Sequence, residues 1–352
     1  MLLTEVKLCH YLLQRGLLTS ADFVKRKIEI RKNFSRNRNF LISVEGKAGF
    51  FVKQTSGSDY NKIRSIVNEA NCYWLAKNDR QFFSLRKVMC NYFDYNPKQY
   101  VLILQLLKTT GDLEAVMARN NHLPGSIARE IAVLFSKLHT VRYGKIENKP
   151  ADKLFNKSVP HIFKIDGTNE AFFNSVGNAD RQILKIVNEK NGLVNQIKRI
   201  SLKWNVECFI HGDIRLGNII TSKTANSKIN LIDWELSDFG DPAWDTGCFM
   251  QSLLLHWVKE FKADEEKLPA IKEAAVLFMS EYINRMKINK ESLKGLIVKV
   301  MEFAAIRLIQ SSKELAYRQE ELQPLQIKIL QMCFNILSRP QKAAKDLLGI
   351  SY

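Results

Sequence analysis

Residues 211–245 constrain this chain more than any other stretch, because they hold two acidic clusters and an amide at short, fixed spacings. The tripeptide His211-Gly212-Asp213 is followed by Asn218, five positions after the aspartate. A mostly apolar run at residues 229–232 then indicates a β-strand that ends at Asp233. A strand that ends in a carboxylate, just after a loop with an aspartate and an asparagine, can hold Mg²⁺ against phosphate oxygens.

Phosphoryl transfer sets what these side chains must do. The transferring group needs positioning and neutralisation of its charge rather than covalent help. Mg²⁺ usually takes one or two oxygen ligands from protein side chains and the rest from phosphates and water. Asn218 and Asp233 can supply the protein ligands, which leaves Asp213 to orient an attacking hydroxyl and accept its proton. Arg215 would place positive charge beside the moving phosphoryl group.

Three motifs in this order resemble the aminoglycoside phosphotransferase and choline kinase branch of the protein-kinase-like fold. They are HGDxxxxN at residues 211–218, IDWE at residues 232–235 and GDPAWD at residues 240–245. The resemblance implies an α+β, two-lobed fold with a small antiparallel sheet in the N-terminal lobe and a larger, mostly helical C-terminal lobe. It implies a kinase that uses ATP and Mg²⁺. It also implies that residues 1–107 form a nucleotide-binding lobe with a leading helix, and that residues 108–352 form a catalytic and acceptor-binding lobe. It also implies that Asp245 caps a helix and braces the catalytic loop.

The N-terminal region fits the nucleotide-binding role. Apolar spacing predicts a helix at 4–15, a segment at 17–23 that leads into the sheet, strands at 28–33, 38–44 and 49–54, and a helix at 63–76. The resemblance implies that Lys53, at the end of the third strand, contacts the nucleotide phosphates and pairs with Glu69 on the helix. The glycine-free turn at 34–38 is either a phosphate-binding loop that uses backbone amides, Ser35, Arg36 and Arg38, or a solvated basic turn. A nearly continuous apolar run predicts a buried strand at 100–107. The resemblance implies an interlobe hinge at 104–108, where the backbone of Leu106 would contact adenine.

The rest of the chain is predicted to be mostly helical. We expect helices at 126–139 and 180–200 and about three more between 265 and 348. The last group would build the acceptor pocket, as the resemblance implies. Glu302, Arg307 and Gln310 can face that pocket, although packing or solvent exposure is the more common role for such residues.

Composition narrows the partners and the compartment. A formal net charge of +17 on 352 residues favours anionic partners such as nucleotides, acidic peptides, nucleic acid or a membrane surface. Six scattered cysteines without a CxxC pair argue against a zinc site or a disulfide framework and predict a reducing cytoplasm. The amino terminus lacks a signal-peptide pattern, and no apolar stretch approaches the ~18 residues that would span a bilayer. We therefore expect a soluble, cytoplasmic protein, and nothing in the sequence indicates its oligomeric state.

The acceptor hydroxyl is left open between two classes. A small hydroxylated metabolite or antibiotic is the common case in the family. The second class is Ser or Thr in a ribosomally made precursor peptide of the lanthipeptide or thioamitide type, whose kinases resemble this chain in HGDxRxxN and DWELxxxGDPAWD. Gly217 departs from the aspartate expected there, whereas Arg215 fits.

Two non-enzymatic alternatives also stand. The chain can be a nucleotide-binding module that does not transfer phosphate. The basic run at residues 25–38 suggests a nucleic-acid binder, but it lacks regularly placed aromatic side chains, which disfavours nucleic acid as a partner. Preference for ATP over GTP is not indicated.

Overall fold

The structure is a computed structural model that describes residues 2–34, 37–107, 109–165, 177–190, 192–222 and 229–349. Its described N-terminal residues form a five-stranded antiparallel sheet in the order β1-β2-β3-β5-β4. The strands are β1 Ile28–Phe34, β2 Arg38–Val44, β3 Phe50–Gln54, β4 Tyr92–Asn96 and β5 Val101–Gln105. The three strands predicted between residues 28 and 54 are confirmed as β1, β2 and β3. The buried strand predicted at 100–107 is confirmed as β5.

Helices cover both faces of this sheet. Alternate residues of β5 therefore pack in different hydrophobic clusters. Val101 and Ile103 pack in the cluster that holds α1 (Glu5–Gln14). Leu102 and Leu104 pack in the cluster that holds α3 (Tyr60–Asn78). Residues 17–23 lead into the sheet through a short helix that the sequence did not indicate. This helix, α2 (Ser20–Lys25), directly precedes β1, and Thr19 and Asp22 make a reciprocal capping box at its start.

The C-terminal lobe is mostly helical, as predicted. Its helices are α4 Leu113–Asn120, α5 Gly125–His139, α6 Asn178–Glu189, α7 Leu193–Ser201, α8 Pro242–Glu260, α9 Leu268–Met286, α10 Lys290–Ala316, α11 Pro324–Ser338 and α12 Pro340–Leu348. Its short strands are β6 Thr109–Asp112, β7 Cys208–Ile210, β8 Ile219–Ser222, β9 Ile229–Leu231 and β10 Asp238–Gly240. Short 3₁₀ helices lie at Tyr143–Lys145, Pro150–Leu154, His161–Lys164, Leu216–Asn218, Trp234–Leu236 and Glu265–Lys267. Another 3₁₀ helix, Arg80–Lys87, lies in the N-terminal region.

Two helix predictions in this lobe are corrected. The single helix expected at 180–200 is two helices, because Gly192 adopts a left-handed conformation at φ 75° between them. The C-terminal group contains one more break than expected, since Pro340 starts a new helix after Ser338.

The buried helix α8 forms the centre of the C-terminal lobe and packs against α10. They approach closely at Gly247, where a β-carbon would lie 2.9 Å from the carbonyl oxygen of Val300 and 3.0 Å from Cβ of Phe303. The whole arrangement is the expected α+β, two-lobed architecture. In the part of the chain that the structure describes, no helix is long and apolar enough to cross a membrane.

Candidate active site

Hydrogen bonds from the first turn of α8 fix the loop at residues 211–213. Asp245 accepts hydrogen bonds from the backbone N–H of His211 at 2.7 Å and of Gly212 at 3.0 Å. The indole of Trp244 donates to the carbonyl oxygen of Gly212 at 3.0 Å. Asp245 is itself buried and lies 3.3 Å from Nε2 of His139. The brace expected of Asp245 is present, but the cap of α8 is Asp241, whose side chain accepts from the N–H of Ala243.

His211 connects this loop to the strand that precedes Asp233. Its Nε2 lies 2.9 Å from the carbonyl oxygen of Ile232. The N–H of Ile232 in turn donates to the carbonyl oxygen of Asn218 at 3.1 Å. The two segments that the sequence analysis selected are therefore adjacent through backbone contacts.

Asp213 and Asn218 lie in direct contact. The amide Nδ2 of Asn218 donates to the carbonyl oxygen of Asp213 at 2.9 Å and to its Oδ2 at 3.2 Å. Arg215 lies on the same side, with Nε 3.2 Å from Oδ1 of Asn218 and 3.6 Å from Oδ2 of Asp213. The amide nitrogen of Asn218 therefore faces the aspartate, and its Oδ1 accepts from Nε of Arg215.

Asp233 joins the two lobes through Lys53. Nζ of Lys53 lies 2.9 Å from Oδ1 of Asp233 and 2.7 Å from Oε2 of Glu69. Lys53 and Glu69 are buried, whereas about a third of the Asp233 side chain (35%) remains exposed. Asp233 thus has both a fixed partner and an open side.

Burial and neighbouring charges shift the pKa values of Lys53, Glu69 and Asp233 in opposite directions. Burial alone would lower the pKa of Lys53, but the carboxylates of Glu69 and Asp233 outweigh it and raise that pKa above its usual value. Burial would likewise raise the pKa of Asp233, yet Lys53, Arg215 and His211 bring it below the ordinary range. Burial raises the pKa of Glu69 to about 7. The lysine is therefore held as a cation and Asp233 as an anion.

Helix α3, which carries Glu69, is fastened to the segment just after Asp233. Nδ2 of Asn68 donates to the carbonyl oxygens of Glu235 at 3.0 Å and Ser237 at 2.9 Å. The hydroxyl of Ser65 donates to the Glu235 carboxylate. Ser65 and Asn68 were not predicted from the sequence, and only their spacing from Glu69 on one helix face could have suggested them.

Arg307 is a further residue at this site. Its Nη2 lies 3.2 Å from Oδ1 of Asp213 and its Nη1 lies 2.8 Å from Oε1 of Glu314. Arg307 was expected either to face the acceptor pocket or to pack or lie exposed, and its contact with Asp213, 94 residues away, was not predicted. Glu302, considered with it, instead binds Lys203 at 2.7 Å. Gln310 donates to Glu314 at 2.9 Å.

The remaining candidates for nucleotide binding are less informative. Ser35 lies outside the described residues. The guanidinium of Arg38 donates to the carbonyl oxygen of Leu3, at the start of the N-terminal helix. Leu106 follows β5, and its N–H donates to the carbonyl oxygen of Gly49 at 2.9 Å. That bond connects the residue after β5 to the β2–β3 turn.

The donor set suits a hard, oxygen-seeking cation. Asp233 offers a partly exposed carboxylate and Asn218 an amide oxygen, the ligand types that Mg²⁺ and Ca²⁺ prefer. Among the described residues, no group of three or more His, Cys, Asp or Glu could hold a metal ion by itself. Two protein oxygens fit a cation whose other ligands come from phosphates and water.

Comparisons with known proteins show the family and the fold of the chain. The family model of choline/ethanolamine kinase matches residues 115–315, more than half of the chain. Among curated proteins, no significant match was found. Solved structures with the same fold include an ethanolamine kinase from Plasmodium vivax, at 15% identity over 97% of this chain and 91% of that one, with a TM-score of 0.64.

Two antibiotic kinases share the fold as well. An amicoumacin kinase in complex with AMP-PNP and Ca²⁺ has 11% identity, covers 94% of this chain and 93% of its own, and gives a TM-score of 0.59. An aminoglycoside 2′-phosphotransferase in complex with GDP has 13% identity, coverage of 97% and 98%, and a TM-score of 0.52. At such identities the likeness shows the fold alone. The resemblance read from the three motifs is confirmed.

Proposed function

The chain belongs to the choline/ethanolamine kinase family and is a kinase with a hydroxyl acceptor, and we propose that it moves the γ-phosphoryl group of ATP, with Mg²⁺, to a small molecule. One observation supports the proposal most strongly. Asp213, Asn218, Asp233, Lys53 and Glu69 form one continuous series of contacts of 3.2 Å or less, with the backbone of Ile232 as a link. They come from four separate parts of the sequence, so a purely structural role would not require this set.

Each residue then has a defined task. Lys53, oriented by Glu69, would bind the non-transferred phosphates as a fixed cation. Asp233 and Asn218 would hold the metal ion, which when bound neutralises charge on the phosphate oxygens. Asp213 would orient the acceptor hydroxyl and accept its proton, with Arg215 beside the transferred group.

The hinge restricts how the base of the nucleotide can be held. Because the N–H of Leu106 is already donated to Gly49, Leu106 would contact adenine through its carbonyl oxygen. Ser35 stays a proposed phosphate contact. We place the activity in the cytoplasm, because all six cysteines are free thiols.

The test is turnover by Asp213→Asn and Asp233→Asn, measured as ADP release with Mg·ATP and a panel of alcohols that includes choline and ethanolamine. We expect each variant to lose about 10²- to 10⁴-fold in kcat while its thermal unfolding stays near wild type. Asp94→Asn is the matched control, because Asp94 pairs with Arg15 on the far side of the sheet. Wild-type-like turnover in Asp213→Asn would refute the assignment.

A second acceptor class is favoured by charge. The net charge of +17 suits an acidic precursor peptide better than a polycationic antibiotic. Adding an acidic peptide with Ser and Thr residues to the panel separates the two classes. Phosphopeptide formation detected by mass spectrometry, with no transfer to the small alcohols, would favour the peptide.

A further inference from the structure

Arg307 is a buried cation that α10 directs at the catalytic loop. Its side chain is only 3% exposed, yet its guanidinium binds two carboxylates, Asp213 at 3.2 Å and Glu314 at 2.8 Å. We propose that Arg307 is a positioning residue that fixes the carboxylate of Asp213 for phosphoryl transfer. This inference rests on the proposed role of Asp213 as the base.

The contact of Arg307 differs in kind from the other contacts of Asp213. Asn218 and Arg215 both approach Oδ2, and both belong to the same short loop as the aspartate. Neither of them contacts Oδ1. The χ2 torsion of an aspartate is broad and roughly two-fold, so contacts at one oxygen leave the plane of the carboxylate loosely defined. Arg307 binds the opposite oxygen, Oδ1, from a separate helix.

The helix that carries Arg307 is also rigidly placed. At Gly247, α8 and α10 approach so closely that a β-carbon would lie 3.0 Å from Cβ of Phe303. Arg307 lies one turn beyond Phe303 on α10, and Asp245 lies two residues before Gly247 on α8. Asp245 holds the backbone of the catalytic loop, at the N–H groups of residues 211 and 212. The backbone and the reacting side chain are therefore fixed by two helices in direct contact.

Glu314 completes the arrangement. It binds the second arm of the guanidinium, and Gln310 donates to the same carboxylate oxygen at 2.9 Å. A planar guanidinium that bridges two carboxylates has a defined orientation, which a lysine ammonium cannot reproduce. We therefore expect charge alone to restore only part of the function of Arg307.

The experiment compares Arg307→Met and Arg307→Lys with Lys299→Met. Lys299 is the matched control, because it is also a cation of α10 that binds a buried aspartate of α8, Asp241, at 2.7 Å. Turnover is measured as ADP release from Mg·ATP, with water and with the best alcohol of the panel. We expect Arg307→Met to lose about 100-fold in kcat with little change in the KM for ATP, because the base is misplaced while the nucleotide site is intact. Arg307→Lys should lie between Arg307→Met and wild type, and Lys299→Met should keep wild-type kcat.

A double variant separates this inference from the proposed function. If Arg307 acts through Asp213, Arg307→Met should cause little further loss on an Asp213→Asn background. The positioning role is overturned if Arg307→Met retains the kcat of Lys299→Met, or if KM for ATP rises as much as kcat falls. Full turnover in Asp213→Asn would instead overturn the proposed function. If Arg307→Met fails to fold, the kcat and KM of Arg307→Lys decide the question by the same criteria.

Discussion

Two residues of the site adopt left-handed backbone conformations, Gly212 at φ 80° and Asp233 at φ 61°. For Asp233 this conformation is uncommon but tolerated, because its short polar side chain can find local partners. It turns the chain sharply after β9, so that the carboxylate meets Lys53 while the backbone enters the turn at Trp234–Leu236. Gly212 has a second reason to be a glycine, because the carbonyl oxygen of Leu236 lies where a β-carbon would be.

Gly212→Ala tests how closely the catalytic loop is fitted to that turn. A β-carbon at this position would lie 2.4 Å from the carbonyl oxygen of Leu236, so the loop must move. We expect kcat to fall by about 100-fold, because displacement of a reacting group by ~1 Å has an effect of that size. The measurement is steady-state ADP release together with thermal unfolding.

Gly192→Ala is the matched control for backbone strain. Gly192 has nearly the same φ, 75°, but no heavy atom lies within 4 Å of the added carbon, and it is far from the site at the start of α7. We expect a loss of about 1–2 kcal/mol in the free energy of unfolding with unchanged kcat. Equal losses of turnover in the two variants would contradict the steric explanation.

At the scale of elements, α3 connects Lys53, the proposed phosphate contact, to the segment that follows Asp233, the proposed metal ligand. One face of this helix holds Ser65, Asn68, Glu69 and Cys72, and each of them contacts Lys53 or the segment from Trp234 to Ser237. The helix is thus fastened in the position that pairs Glu69 with Lys53. Lys53 should keep its orientation whether or not a nucleotide is bound.

Asn68→Ala removes the two central hydrogen bonds of that contact. We expect the free energy of unfolding to fall by about 2 kcal/mol, at roughly 1 kcal/mol for each bond, and KM for ATP to rise because Lys53 is held less firmly. Asn78→Ala is the control on the same helix, since Asn78 donates only to the nearby carbonyl oxygen of Trp74. Its effect should stay within about 0.5 kcal/mol. Denaturant titration and initial rates measure both quantities, and an unchanged KM in Asn68→Ala would contradict the connection.

The elements also show what the sequence can predict. Alternating or helical apolar spacing located β1–β3, α1 and α3, because those patterns report directly which side chains are buried. The close spacing of the motifs at 211–245 leaves few ways to arrange them: Asn218 contacts Asp213, and its carbonyl oxygen accepts from the N–H of Ile232, next to Asp233. The roles of these residues stay a prediction. Contacts between distant helices were not predictable, and Arg307 is the clearest case. Its neighbour is set by how α10 crosses α8, which no local pattern reports.

At the scale of the whole molecule, the two lobes share one core. The buried cluster that contains Ile66 and Leu102 of the N-terminal region also contains Trp244 and Phe303 of the C-terminal lobe. Backbone contacts cross the same boundary, since the N–H of Leu231 donates to the carbonyl oxygen of Val88 at 2.7 Å. We therefore propose the division near residues 107 and 108 as a functional boundary rather than as a boundary between folding units.

This view predicts that a fragment of residues 1–107 does not fold cooperatively. Without the C-terminal lobe, the face of α3 that contacts Trp234–Ser237 becomes exposed to water, and Lys53 loses its contact with Asp233. What remains is the core between the sheet and α1 and only part of the larger cluster that α3 shares with Leu102 and Leu104, which is small for a chain of that length. Thermal unfolding followed by circular dichroism should show a broad, shallow transition for the fragment and a sharp one for the full chain. A sharp transition in the fragment would show that the sheet and α3 hold together without Trp234–Leu236, and the lobes would then be separate folding units.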